Sequence, residues 1–247
     1  MRLRQIAKTL RDSWLELYDP RRLDELRGER VVFRFLQASG FLTSLEGKRV
    51  LEIGPKHGED SACLASLTPS ELVLLDLAEK SDLVHTWLPA IACPTRYVEG
   101  NLLYLAADAL RALGTFDLVW CCGVLYHNVE QLRLIRKLFQ LTHPGGRVVI
   151  ESATTRNRHL QGRNVVELHW PRPYRELPTI THLPSRNAIR SWMEMVGFGE
   201  VVDRPVYSRK LASHRAVLTG TRPEQARPYV GYGELGSSPD YVAGDAT

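Results

Sequence analysis

"VLEIGPKHGED", residues 50–60, decides the architecture. A short apolar run ends in an acid and a glycine, and helix-forming residues follow a turn bracketed by Gly54 and Gly58. That is the start of a strand–turn–helix unit. Glycine removes Cβ at such a turn and lets backbone approach a ligand. The turn is not G-x-G-x-x-G, because Pro55, Lys56 and His57 separate the glycines, and no Gly-Lys-Ser/Thr follows as in a phosphate loop.

Outward from this unit the same rhythm repeats. "ELVLLD", "TRYVEG", "FDLVWCC" and "GRVVIES" are apolar runs separated by the helical stretches "SACLASLT", "AADALRAL" and "EQLRLIRKLFQLT". Strands alternating with helices predict βαβ units on a parallel sheet. Upstream, "RQIAKTLRDSWLELY" and "RRLDELRGERVVFRFLQASGFL" read as two helices, the second ending near Gly40. Downstream of Ala153 the rhythm is lost for about thirty residues rich in Arg, Pro and His, a length more often functional than structural. A helix over "SRNAIRSWMEMVGF", with Ser185 as N-cap and Gly197 as stop, and the strands "GEVVDRPV" and "HRAVLTGT" follow. The expected organisation is a helical cap over 1–46, a main domain over 47–222 with an acceptor-side insertion at 154–184, and a flexible tail over 223–247.

The totals set bounds. The 247 residues carry a formal net charge of +4, enough chain for one sizeable domain. No window approaches the roughly 18 apolar residues of a membrane span, and the charged N-terminus lacks a secretory h-region. The four cysteines, Cys63, Cys93, Cys121 and Cys122, include no Cys-x-x-Cys pair. Two of them are strand neighbours facing opposite ways, so reduced thiols and a cytoplasmic location are expected. The basic excess is scattered arginine, which argues against a nucleic-acid partner.

The chemistry-bearing residues gather at strand exits, where α/β sheets bind ligands. Glu52 before the glycine turn would repel a pyrophosphate yet accept hydrogen bonds from an ammonium group. Asp76 ends the second strand, where such folds place an acid on ribose hydroxyls. A nucleoside with a cationic amino-acid end fits both, and S-adenosylmethionine (SAM) has that shape. The bland alternative is a plain turn at Gly54 and Gly58 with Asp76 capping a helix.

"VLEIGPKHG", "LLDLA", "FDLVWCCGVLYH" and "HPGGRVVIES" resemble, in order, the motifs of class I SAM-dependent methyltransferases, over about residues 47 to 220. The resemblance implies an α/β, Rossmann-like seven-stranded sheet, last strand antiparallel, with helices on both faces. "GVLYHN", "LPSRNAIRSWMEMVGF" and "HRAVL" resemble more closely the branch containing the bacterial tRNA wobble-uridine (5-oxyacetate) methyltransferase. Enzymes of that branch hold a carboxylated cofactor with N-terminal tryptophan-rich segments. Residues 1–46 contain nothing similar, so ordinary SAM is the expected cofactor. The cofactor-binding set is then Glu52, Gly54, Gly58, Asp76, Asn101, Leu102, Cys122 and Gly123, with "EGNLL" passing the adenine.

On the acceptor side, Tyr126 and His127 leave the "FDLVWCC" strand toward the reacting centre. A neutral histidine, ordinarily titrating at ~6.5, can take the proton of an attacking alcohol. Tyr126 would shape the pocket, hydrogen-bond the acceptor or face the sulfonium. Alternatively His127 caps the next helix, a role for which Asn128 is itself well suited. Glu151 is a third catalytic candidate. His169, Trp170 and Tyr174 suit an acceptor such as a sugar, and Arg215 matches an arginine the branch uses near its cofactor. Two histidines and a glutamate could also hold Mg2+ or another divalent ion, although no ligand motif is present. His143, in the turn before a strand, reads as structural. The expected activity is O-methylation of a small-molecule or saccharide hydroxyl. The alternatives are tRNA modification and a catalytically inactive binding domain. A homodimer is left open.

Overall fold

The computed structural model describes residues 30–207 and 214–225. The chain divides into two compact units between Asn101 and Leu102. The expected first helix, the start of the second and most of the tail lie outside the described residues.

The first unit contains α1 (Val31–Ala38), β1 (Arg49–Ile53), α2 (Glu59–Ala65), β2 (Glu71–Asp76), α3 (Ser81–Trp87) and β3 (Thr95–Glu99). β1 pairs in parallel with β2 from Arg49↔Glu71 to Ile53↔Leu75, and β2 with β3 from Leu72↔Thr95 to Asp76↔Glu99. Val50, Leu51 and Leu72 through Leu75 are buried, the uninterrupted apolar pattern of a parallel strand covered on both faces. The parallel register brings the carboxyl ends of all three strands to one edge. An ion pair of 2.6 Å between Arg30 and Asp60 ties the residue before α1 to the first turn of α2.

The second unit contains α4 (Ala107–Leu113), β4 (Phe116–Cys122), a single 3₁₀ turn (Leu125–His127), α5 (Gln131–Leu141), β5 (Thr142–Ala153), β6 (Val166–Leu168), β7 (His182–Pro184), α6 (Arg186–Val196), β8 (Gly199–Arg204) and β9 (Arg215–Thr221). β4 and β5 are parallel, and β9 runs antiparallel to both β5 and β8. The strand order is β3-β2-β1-β4-β5-β9-β8, the seven-stranded arrangement with an antiparallel last strand that the motifs imply.

Ser185 caps α6 by accepting a 3.0 Å bond from the Ala188 amide, and Gly197 closes the helix, as the sequence predicts. Three expectations need correction. Asn128 does not cap α5. Its side-chain amide donates to the Val124 carbonyl at 3.0 Å, and α5 begins after Glu130 with no side-chain cap. β5 starts at Thr142, well before the expected "GRVVIES", with its register to β4 shifted between Phe116 and Leu118. Gly146 sits at that irregularity, where a Cβ would lie 2.8 Å from the His143 carbonyl and 2.9 Å from that of Phe116. Finally, 154–184 is not wholly irregular, because β6 and β7 pair antiparallel within it. Those strands are three residues each, too short to show a period in sequence.

The four cysteines are free thiols. Among the described residues no helix is long and apolar enough to cross a membrane.

Candidate functional site

In the first unit the glycine turn and two acids meet at the carboxyl edge of the strands. Gly54 (φ 69°), Lys56 (φ 52°) and Gly58 (φ 81°) all take left-handed backbone, so the turn is tight and two of its three such positions need glycine. Gly58 is also the N-cap of α2. The Asp76 carboxylate accepts the Leu77 amide at 2.8 Å and reaches back to the Lys56 amide in the turn at 3.3 Å. Burial raises its pKa, and those two amides oppose the rise. The Asp76 carbonyl accepts the Gly100 amide at 2.8 Å, which sets Asn101 just beyond the end of β3 on the same edge. Tyr97, unnoticed in the sequence, approaches the carbonyls of Asp76 and Leu77 at 3.4 Å and packs edge-on against His85.

Glu52 lies deeper, only 2 % exposed, and accepts a 2.5 Å hydrogen bond from Ser61. Burial, then the charge of Asp60, pushes its pKa well above the usual carboxylate range. A buried acid with one hydroxyl partner gains from a cation.

In the second unit Cys122 and Gly123 end β4 beside Glu151. Cys122 is in register with Glu151, and the Gly123 amide donates to the Glu151 carbonyl at 3.1 Å. Leu102 is buried in this unit, at 3 % exposure. Tyr126 and His127 occupy the 3₁₀ turn that follows, rings 4.4 Å apart. Tyr126 packs on a cluster of Ala153, Tyr174, Ile180 and Leu183. His127 is exposed, and its Nδ1 lies 2.8 Å from the Thr179 hydroxyl.

Glu151 is buried and fully engaged. Arg215 grips it through two hydrogen bonds of 2.5 and 2.7 Å, and the Tyr207 hydroxyl donates a third at 3.0 Å. Burial works against the charge of Arg215, but the Glu151 carboxylate outweighs it and raises the pKa. Burial and the same carboxylate keep Tyr207 protonated far above the phenol range. Arg215 also lies over the Tyr126 ring at 5.5 Å from its centre. A carboxylate so occupied is a scaffold that fixes Arg215, Tyr207 and, through the ring, Tyr126. Tyr207 was missed in the sequence. It stands three residues beyond β8, at the same edge as the ends of β4 and β5 because β9 is antiparallel to both β5 and β8.

His169 and Tyr174 come together as an edge-on pair 5.8 Å apart, whereas Trp170 is 76 % exposed. His169 Nε2 is buried 3.5 Å from Glu167, too long for a good hydrogen bond. Glu167 is itself held by the Thr155 hydroxyl. Among the described residues no three His, Cys, Asp or Glu side chains converge as a metal site, so the divalent ion that two histidines and a glutamate could have held finds no ligand set among them. His143 is exposed at the start of β5, its ring nitrogen 2.5 Å from the Pro144 carbonyl, away from the carboxyl ends.

Comparison with known proteins agrees with the fold. Residues 21–202 match the family model described as "Methyltransferase domain". A tRNA U34 carboxymethyltransferase of Desulforapulum autotrophicum is 31 % identical over 167 residues, which are 66 % of this chain and 48 % of that protein. The chain thus spans about half the length of the curated relatives it matches. Among solved structures, a SAM-dependent methyltransferase from Mesorhizobium loti aligns with TM-score 0.57 at 17 % identity, covering 80 % of this chain and 100 % of that one. The N-terminal domain of EvdMO1, solved in the presence of SAH and D-fucose, aligns with TM-score 0.54 at 21 % identity, covering 77 % and 82 %.

Proposed function

The chain belongs to the methyltransferase-domain family, and we propose that it transfers a methyl group from SAM to a hydroxyl of a small molecule or saccharide, with His127 as general base. The observation that carries this reading is the hydrogen bond between His127 and Thr179. In the tautomer whose Nδ1 donates to Thr179, the basic lone pair sits on Nε2. Its exposure lets an acceptor reach it. Tyr126 lies against both Arg215 and the imidazole.

The residues of the first unit suit SAM. Asp76 offers a carboxylate at the end of β2 for ribose hydroxyls, the glycine turn beside it admits close backbone contact, and buried Glu52 favours a cationic neighbour. SAM, when bound, supplies an electrophilic methyl on a sulfonium. The work left to the protein is to orient the acceptor, exclude water and remove a proton, and base assistance of this kind is worth ~10²–10⁴-fold.

The curated relatives favour a second reading, modification of tRNA. Against carboxymethyl transfer stands the state of Arg215. Its charge is already matched by Glu151 in a bidentate pair, so it offers no uncompensated cation to a carboxylated cofactor. Incubation with methyl-labelled SAM and separate panels of glycans, small alcohols and tRNA discriminates the readings. Label in a glycan or alcohol ether is expected. Label in tRNA alone overturns the proposal, and SAM binding without transfer to any panel supports an inactive binding domain.

A further inference from the structure

Around the end of β9 the second unit collects positive charge that the methyl transfer itself does not use. The amide of Thr154, just past β5, donates to the His214 carbonyl at 2.9 Å, so the chain leaving β5 runs beside His214 as it carries Arg156 outward. Arg175 lies on the aromatic cluster that Ala153, the last residue of β5, also joins. Its guanidinium lies 5.4 Å over the ring of Tyr174, a member of the cluster on which Tyr126 packs. Arg175 and Arg215 thus each rest on an aromatic ring of one cluster, Tyr174 for the first and Tyr126 for the second.

The two outer arginines differ from Arg215 in a decisive way. Arg215 is neutralised by Glu151. Arg156 and Arg175 are exposed, and among the described residues neither has a carboxylate partner. The backbone that presents Arg175 is costly, because Arg175 (φ 53°) and Glu176 (φ 59°) are successive non-glycine residues in left-handed conformation, a strain that persists at ligand-holding sites. The charge is felt locally. Burial, and then Arg156, Arg175 and Arg215 in turn, lower the pKa of His214.

We propose that Arg156 and Arg175, beside His214, bind an anionic group of the acceptor: a carboxylate, phosphate or sulfate on the molecule whose hydroxyl is methylated. The proposal rests on the reading of a small-molecule or saccharide acceptor and narrows it to an acidic one. Guanidinium groups suit such oxyanions because their planar donors match two oxygens at once. The site lies on the same aromatic cluster as Tyr126, so an acceptor held there by its anion keeps its hydroxyls near the 3₁₀ turn that carries His127.

The test follows the His214 ring by NMR in protein saturated with S-adenosylhomocysteine, titrated with inorganic phosphate, glucuronate or glucose. Phosphate and glucuronate are expected to raise the His214 pKa, because a bound anion screens the arginines and favours the imidazolium, while glucose leaves it unmoved. In Arg156→Gln and Arg175→Gln the apparent affinity for both anions is expected to fall by about tenfold or more, the loss of one charge-assisted contact. Both positions are exposed, and thermal unfolding of each variant checks that its fold is kept. Tighter binding of glucuronate than of phosphate assigns a carboxylate acceptor, the reverse a phosphorylated one, and either supports the site. A His214 ring that neither anion moves, or that responds in both variants as it does in the parent, overturns it. Anion binding at Arg156 and Arg175 without methyl transfer to any hydroxyl would overturn the proposed reaction and leave the anion site standing. Methylation of glycans without anion binding would do the opposite.

Discussion

His127 is the base the sequence favours and Glu151 a further catalytic candidate, and their surroundings differ. His127 is exposed with one ring nitrogen held by Thr179, whereas Glu151 is buried with both oxygens engaged. His127→Ala is expected to lower kcat by roughly 10²-fold or more while SAM affinity, read by calorimetry, stays near that of the parent. Near-parent turnover would remove the base role from His127. Glu151→Gln is expected to act through the fold. It leaves the half-buried Arg215 guanidinium without its counter-charge, and breaking such a pair costs about 3–5 kcal/mol, visible as a lower denaturant midpoint. An unchanged midpoint with lost activity would make Glu151 catalytic after all. Glu52 gives a pH signature. Its folded pKa is raised above the ordinary 4.5, so its contribution to stability is fully present below pH 4.5 and is lost as pH rises through the folded value. The melting temperature of the parent should therefore fall relative to Glu52→Gln as pH rises above that point. A cationic ligand beside Glu52 pulls its pKa back down, so SAM binding should release a proton. Identical calorimetric enthalpies in buffers of different ionisation heat would exclude that coupling.

At the scale of elements, Ser185 is one of the points that tie the insertion to the main domain. Its hydroxyl accepts the Ala188 amide of α6 and donates to the Arg163 carbonyl in the insertion. Ser185→Ala should cost about 1–2 kcal/mol as a lost cap. It should also raise hydrogen exchange over 160–168, where the Ser185 amide donates to the Val165 carbonyl at 2.8 Å. A stability loss with no change in that exchange would confine the role to α6. The start of β5 is constrained differently. With backbone oxygens at 2.8 and 2.9 Å from the site of a Cβ, Gly146→Ala forces either β5 or the end of β4 to move. Loss of soluble protein or a large fall in melting temperature is expected, and a parent-like melt would mean that this irregular register is soft.

For the molecule as a whole, ligand binding offers the cleanest reading of the first unit. A ligand that binds only the folded state stabilises by mass action, about 2.7 kcal/mol at a hundred times its Kd. S-adenosylhomocysteine should raise the melting temperature of the parent accordingly, and Asp76→Ala should remove most of that rise if, as proposed, the Asp76 carboxylate at the end of β2 holds the ribose. An undiminished shift in the variant would place the ligand elsewhere.

The sequence by itself determined the succession of the seven strands of the main sheet, the glycine turn, the acids at the ends of β1 and β2 and the cap of α6. Each is written within a few consecutive residues, as an apolar period, a glycine that tolerates left-handed backbone, or a hydroxyl placed before a helix. Pairings between distant segments have no such local signature. Glu151 and Arg215 are sixty-four positions apart, and His127 and Thr179 fifty-two. Only the antiparallel register of β5 with β9, which sets Ala153 opposite Arg215, brings that arginine to the Glu151 carboxylate. The packing of the insertion likewise delivers Thr179 to His127 and seats Arg175 on Tyr174. Which candidate side chain is exposed and which is buried in an ion pair is a property of those long-range contacts, and tertiary structure decided it.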